Sequence, residues 1–338
     1  VKVPVEVTVR LSSWLGGLVA AVLAATVLPA SAASAADVSS PPLEIPAAEL
    51  AKALHCGTEL GDLRDAGDKP TVLFVPGTGL KGEENYAWNY MAELKKKGYQ
   101  SCWVDSPGRG LRDMQESVEY VVYATRAIQE ATGRKVDLVG HSQGGLLTAW
   151  ALRFWPDLPG KVDDMVTLGS PFQGTRLASP CRPIAEVAGC PASVLQFARD
   201  SNWSKALGAD GTPMPAGPSY TTIYSYADES VVADGEAPSL PGAHRIGVQD
   251  ICPGRPWPTH IAMVVDQVSY DLVADAIEHP GPADTSRIDR AHCAKPVMPL
   301  NSQEAVDALP GLLNFPIELL IHSQPWVDEE PPLRPYAR

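Results

Sequence analysis

Short continuous apolar runs alternate along this chain with longer stretches whose apolar positions recur at helical spacing. Thr71 to Val75 (TVLFV) is such a run, cut off by Pro76-Gly77-Thr78-Gly79, and it predicts a buried strand ending in a turn. Ser101 to Asp105, the run around Val136, Leu138 and Val139, Asp164 to Leu168, Thr221 to Tyr226 and Arg245 to Val248 predict further strands. Helices are predicted over Pro46 to Leu54, Asn85 to Lys97, Val118 to Ala131, the stretch holding Leu146, Leu147, Trp150 and Phe154, and Ile261 to Ile277.

Strands alternating with helices predict one mostly parallel sheet covered by helices on both faces. Gly174 to Gly217 breaks the alternation with prolines, two cysteines and a helical piece, so it is expected to be an insertion over the site. Gln303 to Leu309 and Leu312 to Ile321, separated by Pro310-Gly311, predict a late helical pair. The first 36 residues stand apart. Lys2 and Arg10 precede the apolar stretch Leu15 to Leu28, and Ala30-Ser31-Ala32 or Ala33-Ser34-Ala35 offers a small-residue cleavage site, the pattern of a secretory signal. The stretch is shorter than the roughly 20 residues of a membrane helix. Residues 37–338 are then expected to form a single domain outside the cell.

A net charge of -13 repels polyanions, so neither nucleic acid nor an anionic membrane surface is an expected partner. The basic run Lys95-Lys96-Lys97 fits the last turn of a helix, where cations oppose the dipole. Six cysteines in a secreted chain favour three disulfides. Cys-x-x-Cys and His-Glu-x-x-His motifs are missing, so no metal or cofactor is expected.

The chemistry centres on KVDLVGHSQGGLLTAW, residues 135–150, where an apolar run, the turn Gly140-His141-Ser142-Gln143-Gly144 and a helical pattern follow in order. Gly-x-Ser-x-Gly alone is weak evidence in a chain with 28 glycines. Between a strand and a helix it reads as a nucleophile elbow, with the flanking glycines admitting backbone where a Cβ would clash. A serine hydroxyl needs a histidine to take its proton and a carboxylate to orient that histidine, and in this order of elements the acid comes before the histidine. Asp228, just beyond the strand TTIYSY, is the candidate acid, with Glu229 and Asp234 as rivals. Of the seven histidines, His260 is favoured as base because it follows a proline-rich loop and opens an apolar helix. His244, His279, His292 and His322 are assigned to surface or capping roles. Oxyanion donors are expected from the Gln143 N–H at the helix start and from Thr78, by its N–H and hydroxyl.

Several motifs in register carry a resemblance. VPGTG, GYQSCW, EYVVYATRAI, SQGGL, KVDDMVTLGSPFQGT, IYSYADESV and RPYAR run in the order of matching stretches in the Candida antarctica lipase B family, and the elbow resembles that of secreted bacterial lipases. The resemblance spans Leu43 to Arg338 and is weakest across Arg176 to Pro218 and after His260. It implies an α/β-hydrolase fold, a triad of Ser142, Asp228 and His260, oxyanion donors Thr78 and Gln143, and action on carboxylic esters including acylglycerols. It also implies disulfides Cys56–Cys102 and Cys252–Cys293, leaving Cys181 to pair with Cys190. His141, Leu80, Leu319 and Leu320 are the candidate substrate contacts. His141 stands where the family has a pocket-shaping tryptophan, Pro171 replaces a pocket aspartate, and the family's C-terminal disulfide has no counterpart, while Cys181–Cys190 is extra.

The leading expectation is a secreted serine ester hydrolase acting as a monomer on small or lipid esters, with transient contact to a lipid interface. An acyltransferase with the same triad and a non-catalytic binding protein of the same fold are the alternatives; a broken triad would mark the last.

Overall fold

Strands whose every residue is buried need side chains packed on both faces, and the two sides of this sheet hold separate cores. The computed structural model describes residues 39–65, 67–209, 211–231, 238–303 and 325–338. Seven strands, β1 (Leu54–Cys56), β2 (Thr71–Val75), β3 (Ser101–Val104), β4 (Val136–His141), β5 (Val162–Leu168), β6 (Ser219–Tyr224) and β7 (His244–Gly247), lie in the order β1-β3-β2-β4-β5-β6-β7. All neighbours pair in parallel except β1 with β3. The expected fold class holds: this is an α/β-hydrolase fold.

Alternation along β2 shows how the faces divide. Leu73 and Val75 join the core beneath α3 (Met114–Thr132) and α4 (Gln143–Phe154), with Val118, Val121, Leu146 and Trp150. Val72 and Phe74 join the opposite core with Tyr86, Tyr90 and Leu94, from the wide-turned helix Glu83–Met91 that runs into α2 (Ala92–Lys96), and with Val268 and Leu272 from the helix Gln267–Glu278. Lys95 and Lys96 do occupy the last turn of α2.

Three expectations are corrected in detail. The first helix, α1 (Ala47–Lys52), stops short of Leu54, which enters β1 and pairs with Val104. The helix expected from Val118 starts earlier, at Met114, because the Asp113 side chain accepts the Gln115 N–H and caps it. The single helix expected over Ile261 to Ile277 is broken: a short turn Ile261–Val264 ends, Asp266 adopts an extended conformation, and its carboxylate caps the helix that begins at Gln267 by accepting the Ser269 N–H. Buried Asp266 is neutralised by Arg255 at 2.6 Å, so the break is anchored by an ion pair.

The insertion supplies α5 (Cys181–Ala188) and α6 (Ala192–Phe197), packed through Ala185, Cys190 and Leu195. Three disulfides join Cys56 to Cys102, Cys181 to Cys190 and Cys252 to Cys293. Residues 1–38, Asp234 and all of the predicted late helical pair but Gln303, Leu319 and Leu320 included, lie outside the described residues.

Candidate active site

The turn after β4 is forced by close packing. A Cβ on Gly144 would run into the carbonyls of Val75 and Pro76, and one on Gly140 into the backbone of Gly144 and Gly145. Between them Ser142 takes φ 53° and ψ -118°, a conformation that costs free energy for any residue with a side chain. Its N–H donates to the Leu168 carbonyl at 2.8 Å, fixing the turn to the end of β5. The strain lifts Oγ clear of the strand and starts α4 at Gln143.

Asp228 follows β6 and His260 follows the loop from Cys252. The two converge on Ser142. His260 Nε2 lies 2.9 Å from Ser142 Oγ, and His260 Nδ1 lies 2.8 Å from Asp228 Oδ2. Asp228 is 3% exposed, and its other oxygen accepts the N–H groups of Ser230 and Val231 at 2.8 and 2.9 Å. Glu229, the rival acid, turns instead to the backbone, accepting the His260 N–H at 3.0 Å. Its carboxylate thus holds the main chain of the residue whose ring Asp228 holds.

The Gln143 N–H is a first-turn donor that α4 itself cannot use. Thr78 faces it from the loop after β2, its hydroxyl donating to Gln143 Oε1 at 3.2 Å, while Gln143 Nε2 donates to the Gly110 carbonyl at 2.7 Å. A brace that the sequence did not reveal holds this loop. Asn85 Oδ1 accepts the Gly77 N–H at 2.9 Å, the Arg109 carbonyl accepts the Gly79 N–H at 2.8 Å, and the Arg109 guanidinium donates to the Gly79 carbonyl at 3.2 Å. Arg109 is held in turn by a two-pronged ion pair with Glu84. Burial would raise the Glu84 carboxyl, but its hydrogen bonds, chiefly from Arg109, hold it below the ordinary range. No pattern of spacing links Glu84 to Arg109, so this contact had no signal in one sequence.

His141 is 1% exposed, its ring centroid 5.1 Å from that of His260, with Nε2 3.2 Å from the His260 carbonyl. Burial first, then the neighbouring His260, holds it down to about 3, so it is neutral here. Two clefts open at Ser142 and His260. One, of about 430 Å³, is lined by Gly77, Thr78, Leu80, His141 and Ile261. The other, about 230 Å³, is walled by Pro171, Ala178, Val194, Phe197 and Val231. Leu80 and His141 therefore border the same cleft as Ser142.

A parallel sheet with a strained serine at the strand-to-helix turn defines a class, and the comparison with known proteins agrees: the chain belongs to the alpha/beta hydrolase family, which it matches over residues 72–336. Within that class it is a lipase-like ester hydrolase. It is 30% identical over 332 residues to Lipase B of Pseudozyma antarctica, covering 96% of this chain and 93% of the relative. It also superposes on the crystal structure of Aspergillus fumigatus lipase B with a TM-score of 0.78 and 27% identity, covering 89% of this chain and 74% of that one.

Proposed function

We propose that this protein hydrolyses carboxylic esters, acylglycerols among them, through an acyl-enzyme on Ser142. One observation carries the reading: the unbroken hydrogen-bonded chain from Asp228 through His260 to Ser142 Oγ. His260 takes the Ser142 proton as Oγ attacks the ester carbonyl, and Asp228 stabilises the imidazolium that results. The tetrahedral oxyanion is met by the N–H groups of Thr78 and Gln143, and the Thr78 hydroxyl turns to it from its resting bond with Gln143. His260 returns the proton to the departing alcohol. Water, deprotonated by His260, then attacks the acyl carbonyl; as that second tetrahedral adduct collapses, the bond to Oγ breaks, His260 returns the proton to Oγ, and the acid leaves.

The smaller cleft, with its apolar wall of Val194 and Phe197, receives the acyl chain, and the larger one, bordered by Leu80 and His141, the alcohol. Each buried methylene contributes up to about 0.8 kcal/mol, so medium-chain esters are favoured over acetyl. The first 36 residues direct secretion and 37–338 act as one monomeric domain. Three disulfides support an oxidising compartment. Ile184 and Val187, three residues apart on α5 and 53% and 90% exposed, support transient contact with a lipid interface.

The test is hydrolysis of a chain-length series of nitrophenyl esters and triacylglycerols by wild type and Ser142→Ala. Hydrolysis lost in the variant, with kcat/KM rising from acetyl to medium chains, is expected. Turnover retained by Ser142→Ala would refute the mechanism, and a preference for acetyl would make this a small-ester esterase.

A further inference from the structure

Three carboxylates converge at the opposite end of β4 and β5 from Ser142. A one-residue bulge is the cause. Val136 pairs with Val162 but Leu138 pairs with Met165, so both Asp163 and Asp164 face Asp137. One carboxylate oxygen from each lies within 4.8 Å of the others. Asp137 is 0% exposed, and no side-chain donor among the described residues reaches its carboxylate, which meets only the backbone of Asp164; Oδ1 of Asp164, itself 6% exposed, has no hydrogen-bond partner among them. A buried carboxylate short of donors is costly unless something neutralises it.

The described residues around the cluster supply one ammonium. Lys135 Nζ lies 3.1 Å from Asp163 Oδ1, in a half-exposed pair. Lys69 and Lys97 border the adjoining cleft but are engaged elsewhere, with the Lys97 carbonyl at 2.8 Å and with Glu278 at 2.8 Å. With all three carboxylates ionised around a bound ion, one ammonium leaves two negative charges for that ion to balance. An open cleft of about 950 Å³, lined by Lys69, Lys97, Tyr99, Asp163, Asp164 and Ser219, leads from solvent to the cluster.

We propose that Asp137, Asp163 and Asp164 bind a divalent cation of the calcium class, which matches that charge and gives the buried oxygens of Asp137 a cationic partner. Calcium takes six to eight oxygen ligands at about 2.3–2.6 Å in flexible geometry, whereas magnesium demands a near-ideal octahedron, which three carboxylates fixed by two strands do not offer. Water entering by the cleft completes the shell. The ion ties β4 to β5, the strands that fix the serine turn.

The full chain, stripped with EDTA and dialysed, would be titrated with calcium chloride while its thermal midpoint is followed, and with terbium chloride while emission sensitised by Tyr99 is recorded. Calcium at a hundredfold excess over its Kd should raise the midpoint by roughly 5 °C. Asp137→Asn and the surface change Asp163→Asn should each weaken terbium binding at least tenfold, and Asp163→Asn should keep the wild-type midpoint in EDTA. If Asp137→Asn does not fold, Asp163→Asn decides alone. No midpoint shift at 10 mM calcium with no terbium emission, or an undiminished response in Asp163→Asn, overturns the site.

Discussion

Asp228 and Asp137 are buried carboxylates at opposite ends of one sheet, and their surroundings differ in kind. Asp228 lies on a turn beyond β6, where two backbone N–H groups and an imidazole are free to point at it. Asp137 lies inside β4, where most main-chain donors are committed to pairing with β2 and β5, the bulge leaves it only the backbone of Asp164, and no side-chain donor among the described residues adds to it. Burial thus has opposite consequences at the two ends. Where a turn supplies donors, the buried oxygens are satisfied and the side chain is fixed to orient an imidazole. Where a strand supplies too few, the acid must keep its proton or recruit a cation from outside. That contrast explains why chemistry gathers at the carboxyl ends of the strands, where loops have donors to give.

The sharpest way to break the comparison is to make the same change at both ends. Asp228→Asn should lower kcat by on the order of 10⁴, since it leaves shape but removes the charge and fixes the wrong tautomer. Asp137→Asn should leave kcat on nitrophenyl butyrate within about twofold of wild type. Steady-state kinetics on the two purified variants decides, and equal losses would end the distinction.

Thr78→Val comes next. Its hydroxyl rests 3.2 Å from Gln143 Oε1 and is available to a developing oxyanion, so kcat should fall roughly a hundredfold with little change in KM. An unchanged kcat would confine Thr78 to its backbone N–H.

Glu229→Ala sharpens the picture within the active end. Its exposed carboxylate holds only the His260 main chain, so kcat should fall by less than tenfold, measured beside Asp228→Asn. A loss as large as that of Asp228→Asn would reverse the assignment of acid.

The smallest effect concerns stability. His141 is neutral when folded, held down to about 3 from 6.5, and takes a proton when unfolded. Its contribution is whole above pH 6.5 and is lost as pH falls from there through about 3, because the unfolded chain binds the extra proton. The drop in urea midpoint between pH 7.5 and 4.5 should be smaller in His141→Gln than in wild type; an identical drop would place the acid sensitivity elsewhere.

What could be read from the sequence follows the range of the interactions. The serine turn was legible because strand, glycines and helix are consecutive, and the packing that demands Gly140 and Gly144 is set within those residues and β2. His260 and Asp228 are 118 and 86 residues from Ser142, and chain order plus family resemblance, rather than any local pattern, singled them out. Asp266 broke a helix that apolar spacing made continuous, because a cap is one polar residue in an otherwise unbroken period. Neither the Glu84–Arg109 brace nor the meeting of Asp137 with Asp163 and Asp164 could be seen. The first needs the start of a helix to meet a turn 25 residues away, and the second depends on a bulge that shifts register by one residue.

The two ends of the strand order carry a last consequence. β1 has three residues, one of them the cysteine bonded across to β3, and β7 has four, with His244 and Arg245 exposed. An edge so short presents few unpaired amides, and a cross-strand bond keeps β1 from peeling away and exposing β3. A second copy of the chain finds little on either side to extend the sheet. Wherever local concentration climbs, such closed margins discourage fibril growth, leaving crowding reversible.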